Sequence, residues 1–157
     1  MADLERPLDP ERDRWFLGTL DSIVAKAADT NGAYGVILRI APRGFTPPHH
    51  QHSREDTGFL VLDGRVTMRV GDEEVVLGPN EYRFAPRGIP HWFRVETETA
   101  RFLEIVSPGG FEGFHMEVSV PAERFEIPPA DVPKPSHEEI SKASSRFGTT
   151  VFKKDTK

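Results

Sequence analysis

Seven short apolar segments, at 33–41, 58–62, 65–70, 73–77, 82–85, 91–95 and 101–106, are cut apart by Gly, Pro, Asn and Asp, and this punctuation constrains the fold more than any other feature. Segments this short and this rich in Val, Ile, Leu and Phe read as strands of an antiparallel sandwich or barrel. Val66, Met68 and Val70 alternate with Arg65, Thr67 and Arg69, so one face of that strand is buried and the other wet. Asp63-Gly64 and Gly71-Asp72 read as hairpin signals. An all-β jelly-roll barrel accounts for the pattern, and 157 residues with 11 Phe suffice for one domain with a sizeable core.

The ends differ in composition. Residues 1–14 are polar and Pro-bearing and are expected to form an amino-terminal arm, with the barrel domain over 15–120. Beyond it, 121–157 should hold a stiff Pro-rich linker (Pro128 to Pro135) and a helix packed on the barrel or on a partner subunit. Ser136 with Glu139 forms a capping-box pattern and Gly148 a stop. Phe111 to Met116 reads as a short helix and Glu117 to Val120 as a last strand. Net charge of −5 without a block of Lys or Arg gives no footprint for nucleic acid. There is no cysteine, no secretory leader in the charged start, and no apolar run long enough for a bilayer, so a cytoplasmic protein with a small-molecule partner and no membrane is expected.

His50 and His52, followed by His91 in Pro86-Arg87-Gly88-Ile89-Pro90-His91, carry the chemistry. In a strand, residues two apart project from one face, so His50 and His52 share a face and a third imidazole from a neighbouring strand completes a set. Such a trio indicates one divalent transition metal ion, Fe, Cu, Ni, Mn or Zn, without choosing among them. His49 faces the opposite way, and His115 and His137 read as ordinary surface histidines.

Gly44, His50, His52 and Gly64, then Pro86, Gly88 and His91, resemble the two cupin motifs, and Trp15 to Gly18 and Ser107 to Phe111 resemble flanks of the small quercetin-dioxygenase-like cupins. The resemblance implies a double-stranded β-helix barrel, a bound metal and commonly a homodimer. It also implies a ligand Glu where this chain has Thr57, which makes Thr57 the candidate catalytic position. A three-histidine site is favoured. Asp56, or in principle Glu55, is the alternative acid, although strand alternation from Thr57 through Phe59 and Val61 turns Asp56 outward. Asn80 stands at a motif glycine and tolerates the left-handed conformation that a glycine would adopt there.

Among the apolar candidates Phe59, Val61, Met68, Phe84, Trp92 and Phe93, three share parity with the metal-facing positions and are expected to touch substrate: Phe59, Met68 and Phe93. Arg39 and Glu104 are expected on a solvated or subunit-facing side. The resemblance implies a metal-dependent, quercetinase-like dioxygenase for an aromatic or polyketide-like molecule. A metal-assisted cyclase or isomerase, or a non-enzymatic small-molecule-binding barrel, are the alternatives. Thr57 is too weak a base to replace a carboxylate, so an oxygenase built this way needs a substrate that arrives ionised or a different base.

Overall fold

The computed structural model describes residues 6–152, so 1–5 and 153–157, the outermost parts of the expected arm and tail, lie outside the described residues. In chain order the strands are β1 (Asp13–Phe16), β2 (Thr19–Ala25), β3 (Gly35–Pro42), β4 (His50–His52), β5 (Asp56–Asp63), β6 (Val66–Val70), β7 (Glu73–Leu77), β8 (Tyr82–Ala85), β9 (His91–Val95), β10 (Thr99–Ser107), β11 (Val120–Pro121) and β12 (Thr149–Val151), with helices α1 (Glu112–Glu117) and α2 (His137–Arg146). They form two antiparallel sheets, one ordered β11-β1-β2-β3-β10-β5-β8 and the other β12-β4-β9-β6-β7. The chain crosses repeatedly between the sheets, which is the expected jelly-roll barrel. Among the described residues no helix is long and apolar enough to cross a membrane.

Strand alternation builds the interior. On β10, Ala100, Phe102, Glu104 and Val106 are buried while their neighbours are more open, and Phe59, Val61, Val66, Met68, Phe93 and Phe102 pack together between the sheets. The carboxyl-terminal tail covers its own barrel. Ser136 and Glu139 make the reciprocal cap, with Ser136 Oγ accepting from Glu139 N at 3.1 Å and Glu139 Oε2 accepting from Ser136 N at 2.6 Å. Helix α2 buries Ile140 and Ala143 against Phe16, Val106, Phe111 and Phe114, and β12 then pairs with β4.

Three local expectations are corrected. Asp63-Gly64 is no hairpin, because β5 and β6 belong to different sheets; its Gly64, at φ +83°, turns the chain across the gap between them. Asp13 and Arg14 fall in the expected arm, yet they are buried in β1, where Asp13 accepts from Arg6, Ser22 and the Asp9 amide, and Arg14 donates to Ser119 and to the Met116 carbonyl. The last strand shrinks to Val120–Pro121, which pairs with β1. The Gly71-Asp72 hairpin does form, joining Val70 to Glu73.

Gly64 tests the crossing. A Cβ there would stand 2.5 Å from the Thr99 carbonyl oxygen, on a backbone that L-residues disfavour by about 1–2 kcal/mol. Gly64→Ala is expected to lower unfolding free energy by at least about 1 kcal/mol in urea titrations, whereas an unchanged midpoint would show that this crossing is not constrained.

Candidate metal centre

Strands β4 and β9 run antiparallel with His50 opposite His91, and His52 lies two residues along the same face. The Gly88 amide donates to the His52 carbonyl at 2.7 Å, tying the turn before β9 to β4. Gly88 itself has φ +77°, which explains a glycine at this point of the motif. The three imidazoles offer ligand atoms that all lie within 4.8 Å of one another.

Hydrogen bonds set two of the tautomers. Nδ1–H of His50 donates to the Pro48 carbonyl at 2.7 Å, and Nδ1–H of His52 donates to Glu55 Oε1 at 2.6 Å, with Thr149 Oγ1 a further 3.0 Å contact of the same nitrogen. Each leaves Nε2 as the ligand atom. Burial first, and then the neighbouring imidazoles, hold His50 well below its ordinary pKa and push His91 down to about 3. Neutral imidazole is the form that binds metal. Both ring nitrogens of His91 and the Thr57 hydroxyl are buried without a hydrogen-bond partner among the described residues. Buried polar atoms without partners are costly, and a cation held by the imidazoles would satisfy one ring nitrogen of His91, so these residues fit a metal.

Thr57 is buried and borders the same cavity as the three histidines. Asp56 turns away as strand parity requires; its carboxylate accepts from the Arg87 amide at 2.8 Å and pairs with the Arg87 guanidinium. Glu55 orients His52 from behind. The cavity has a volume of about 50 Å³ and is walled by Phe16, Phe59, Phe93, Phe111 and Phe114, with Ile140, Ser144, Thr149 and Val151 contributed by the tail. Met68 is not part of this wall. It lies opposite Phe93 on the paired strand, fully buried in the core. His49 is exposed and stacks on Trp92, Phe84 is exposed, and His137 is exposed at the start of α2.

The opposite wall is ionic, contrary to expectation for Arg39, Glu104 and His115, which are all buried and all border the cavity. Arg39 donates to Asp21 through Nε at 2.8 Å and Nη2 at 3.1 Å, and to Glu104 Oε1 through Nη1 at 2.9 Å. His115 Nδ1 donates to Asp21 Oδ2 at 2.7 Å while its ring stacks on Phe16. Although burial works against the charged form, Arg39 and then His115 lower the Asp21 pKa to about 2. Parity held the signal for two of these residues. Arg39 alternates in step with Ile37 and Ala41, and Glu104 with Phe102 and Val106, but the general rarity of buried charge outweighed it. Nothing in the sequence near His115 gives its burial away, since only folding brings α1 onto β1 and β2.

A cupin domain profile matches residues 36–106. Quercetin 2,3-dioxygenase of Bacillus subtilis is 24% identical over 136 residues, covering 86% of this chain and 40% of that protein. An uncharacterized protein of Aquifex aeolicus is 32% identical over 59 residues, covering 38% of this chain and 49% of that one. The chain thus spans less than half the length of both relatives. Among solved structures, KdgF from Halomonas sp. superposes with a TM-score of 0.58 at 22% identity, covering 66% of this chain and 94% of that one. A predicted oxalate decarboxylase from Thermotoga maritima gives a TM-score of 0.56 at 18% identity, covering 69% and 99%. These likenesses concern the fold.

Two outcomes follow from the geometry. Metal content after reconstitution should fall sharply in His50→Ala, His52→Ala and His91→Ala and stay near wild type in His49→Ala; a His91→Ala protein that keeps its metal would remove His91 from the site. Asp21→Asn strips a buried guanidinium of its two-point partner and is expected to cost about 3–5 kcal/mol in urea unfolding. Because the folded-state pKa of Asp21 is depressed, its contribution is complete above about pH 4 and is lost as pH falls toward 2. In Asp21→Asn that part of the acid limb should flatten.

Proposed function

We propose that this chain, which a cupin domain profile matches over residues 36–106, is a metal-dependent oxygenase acting on a small hydroxylated aromatic or polyketide-like molecule. The observation that carries the reading is the set of three imidazoles opening onto a cavity walled mainly by aromatic rings. The distant likeness to a quercetin 2,3-dioxygenase points the same way. His50, His52 and His91 would hold the ion. When bound, such an ion supplies a Lewis acid for a substrate oxygen and, if redox-active, a route for electrons to dioxygen. The protein does the rest. Phe59 and Phe93 offer apolar faces to a planar ring, and Phe111, with its ring edge-on to His52 at 4.4 Å, excludes water beside the ligands. Glu55 and the Pro48 carbonyl keep their imidazoles oriented. Thr57, with no carboxylate to offer, would add no charged ligand beside the three histidines.

A cavity of about 50 Å³ has room for a few waters, so a multi-ring substrate requires the tail segment of its wall, Ile140 to Val151, to move. We further propose a homodimer, in which the apolar side chains Tyr82 and Phe84, exposed on the edge strand β8, would be covered by the second copy. Light scattering at a mass near 17.6 kDa over a range of concentrations would contradict this.

The deciding experiment loads the protein separately with iron, copper, nickel, manganese and zinc and offers quercetin and catechol in an oxygen-electrode cell. Dioxygen uptake with a redox-active metal, lost in His91→Ala, is expected. Conversion that proceeds equally under argon would replace the oxygenase by a cyclase or isomerase. Stoichiometric binding without conversion would leave a binding protein.

A further inference from the structure

We infer that Glu104 is the base of this site and that the cavity takes a neutral hydroxyl-bearing ligand whose proton passes to Glu104, in place of a substrate carboxylate held by Arg39. The inference rests on the metal-site reading above and adds to it the group that receives the proton.

The positions come from strand pairing. Glu104 on β10 is the register partner of Phe59 on β5, and Val106 is the partner of Thr57, so Glu104 and Thr57 are diagonal neighbours on the inner face of one sheet. Phe59 in turn lies edge-on to His91 with ring centroids 5.8 Å apart. Glu104 therefore faces the cavity of the three imidazoles one diagonal step from the position where a carboxylate is missing.

Its chemistry is also distinct from that of every other acid nearby. Oε1 accepts from Arg39 Nη1, and among the described residues Oε2 has no hydrogen-bond partner although the side chain borders the cavity. Both oxygens of Asp21 are taken by Arg39, and His115 shares one of them. Glu55 is bonded to His52 and Asp56 to Arg87. Glu104 alone combines burial, a cavity-facing carboxylate and an oxygen left over.

The hydrogen-bond inventory selects the ligand. Arg39, already bonded to both oxygens of Asp21 and to Glu104 Oε1, has no two-point face left for a third carboxylate. A carboxylate ligand would meet only the open acceptor Oε2 there, whereas a hydroxyl can donate to it. In the step itself the substrate O–H bond breaks, the proton moves to Oε2 of Glu104, and the electron pair stays on the substrate oxygen.

The zinc-loaded protein with 4-nitrocatechol tests this, since zinc is redox-inert and the monoanion and dianion of the probe absorb at different wavelengths. At saturation and mildly acidic pH, wild type should show mainly the dianion band. Glu104→Gln keeps the shape and an oxygen for Arg39 but cannot take the proton, so its dianion-to-monoanion ratio should fall by about tenfold or more, the equivalent of one pH unit. An equal ratio in the two proteins overturns the assignment. Should Glu104→Gln fail to fold, Glu104→Asp retains the charge and withdraws the carboxylate by one methylene; a partial fall supports the inference and no change overturns it. A fall in His115→Gln with none in Glu104→Gln would transfer the role to His115. Failure of wild type to bind the probe more tightly than His91→Ala would sink the metal-site reading and this inference together, whereas tight binding with an unaltered ratio would sink this inference alone.

Discussion

A guanidinium enclosed in the barrel and gripped by carboxylates from two different strands is the interaction on which this architecture depends. Arg39 on β3 bonds Asp21 on β2 and Glu104 on β10, and Asp21 bonds His115 on α1. Three adjacent strands and the helix behind them are thereby held in one register by charge. An isolated buried guanidinium is costly to desolvate, so the cluster is stable only as a whole. The surrounding rings add to it: Arg39 lies 5.1 Å from the centroid of Phe16, which also stacks on His115. The cluster forms one wall of the cavity that the imidazoles line from the other side.

That arrangement explains why Thr57 is compatible with a metal-binding barrel. A carboxylate at position 57 would place a negative charge among the imidazoles and could also take a proton. In this chain the negative charge sits across the cavity on Glu104, and position 57 holds a small hydroxyl. With three imidazole donors and no carboxylate beside them, the charge of a bound ion would be less neutralised. The second sphere compensates through orientation, since Glu55 fixes His52 and itself stands outside the donor set.

How much of this could be read in the sequence follows from range. Features set within two or three residues were legible: the Ser136 cap, the Gly71-Asp72 hairpin, the left-handed Asn80 at φ +66°, and the shared face of His50 and His52. The β1–β2 hairpin was not, although it too is local, because its turn places Leu17 at φ +51° ahead of Gly18 at +86°, a conformation that Asn or Gly ordinarily signals and Leu does not. The Asp63-Gly64 turn was visible but its meaning was not, since a turn dipeptide specifies backbone conformation and is silent on which sheet the next strand joins. Met68 has the parity of the inner face but lies too deep for the cavity: a strand's inner face runs from the cavity into the packed core, and alternation does not say where one becomes the other.

The charged residues teach the sharper lesson. Buried Asp, Arg and Glu are rare enough that each taken singly belongs on the surface. Arg39 and Glu104, however, each occupy the buried parity of their strand, in step with Ile37 and Ala41 and with Phe102 and Val106, while Asp21 lies on a stretch of β2 buried on both faces. Violations of one pattern whose charges pair do not behave as independent improbabilities. Once one charged side chain points inward its desolvation cost is relieved only by an opposite charge on an adjoining strand, so the presence of one raises the expectation for the next. Taken jointly, the inward-facing charges on β2, β3 and β10 define a polar wall inside an aromatic barrel, and that wall and the three imidazoles enclose one cavity between them.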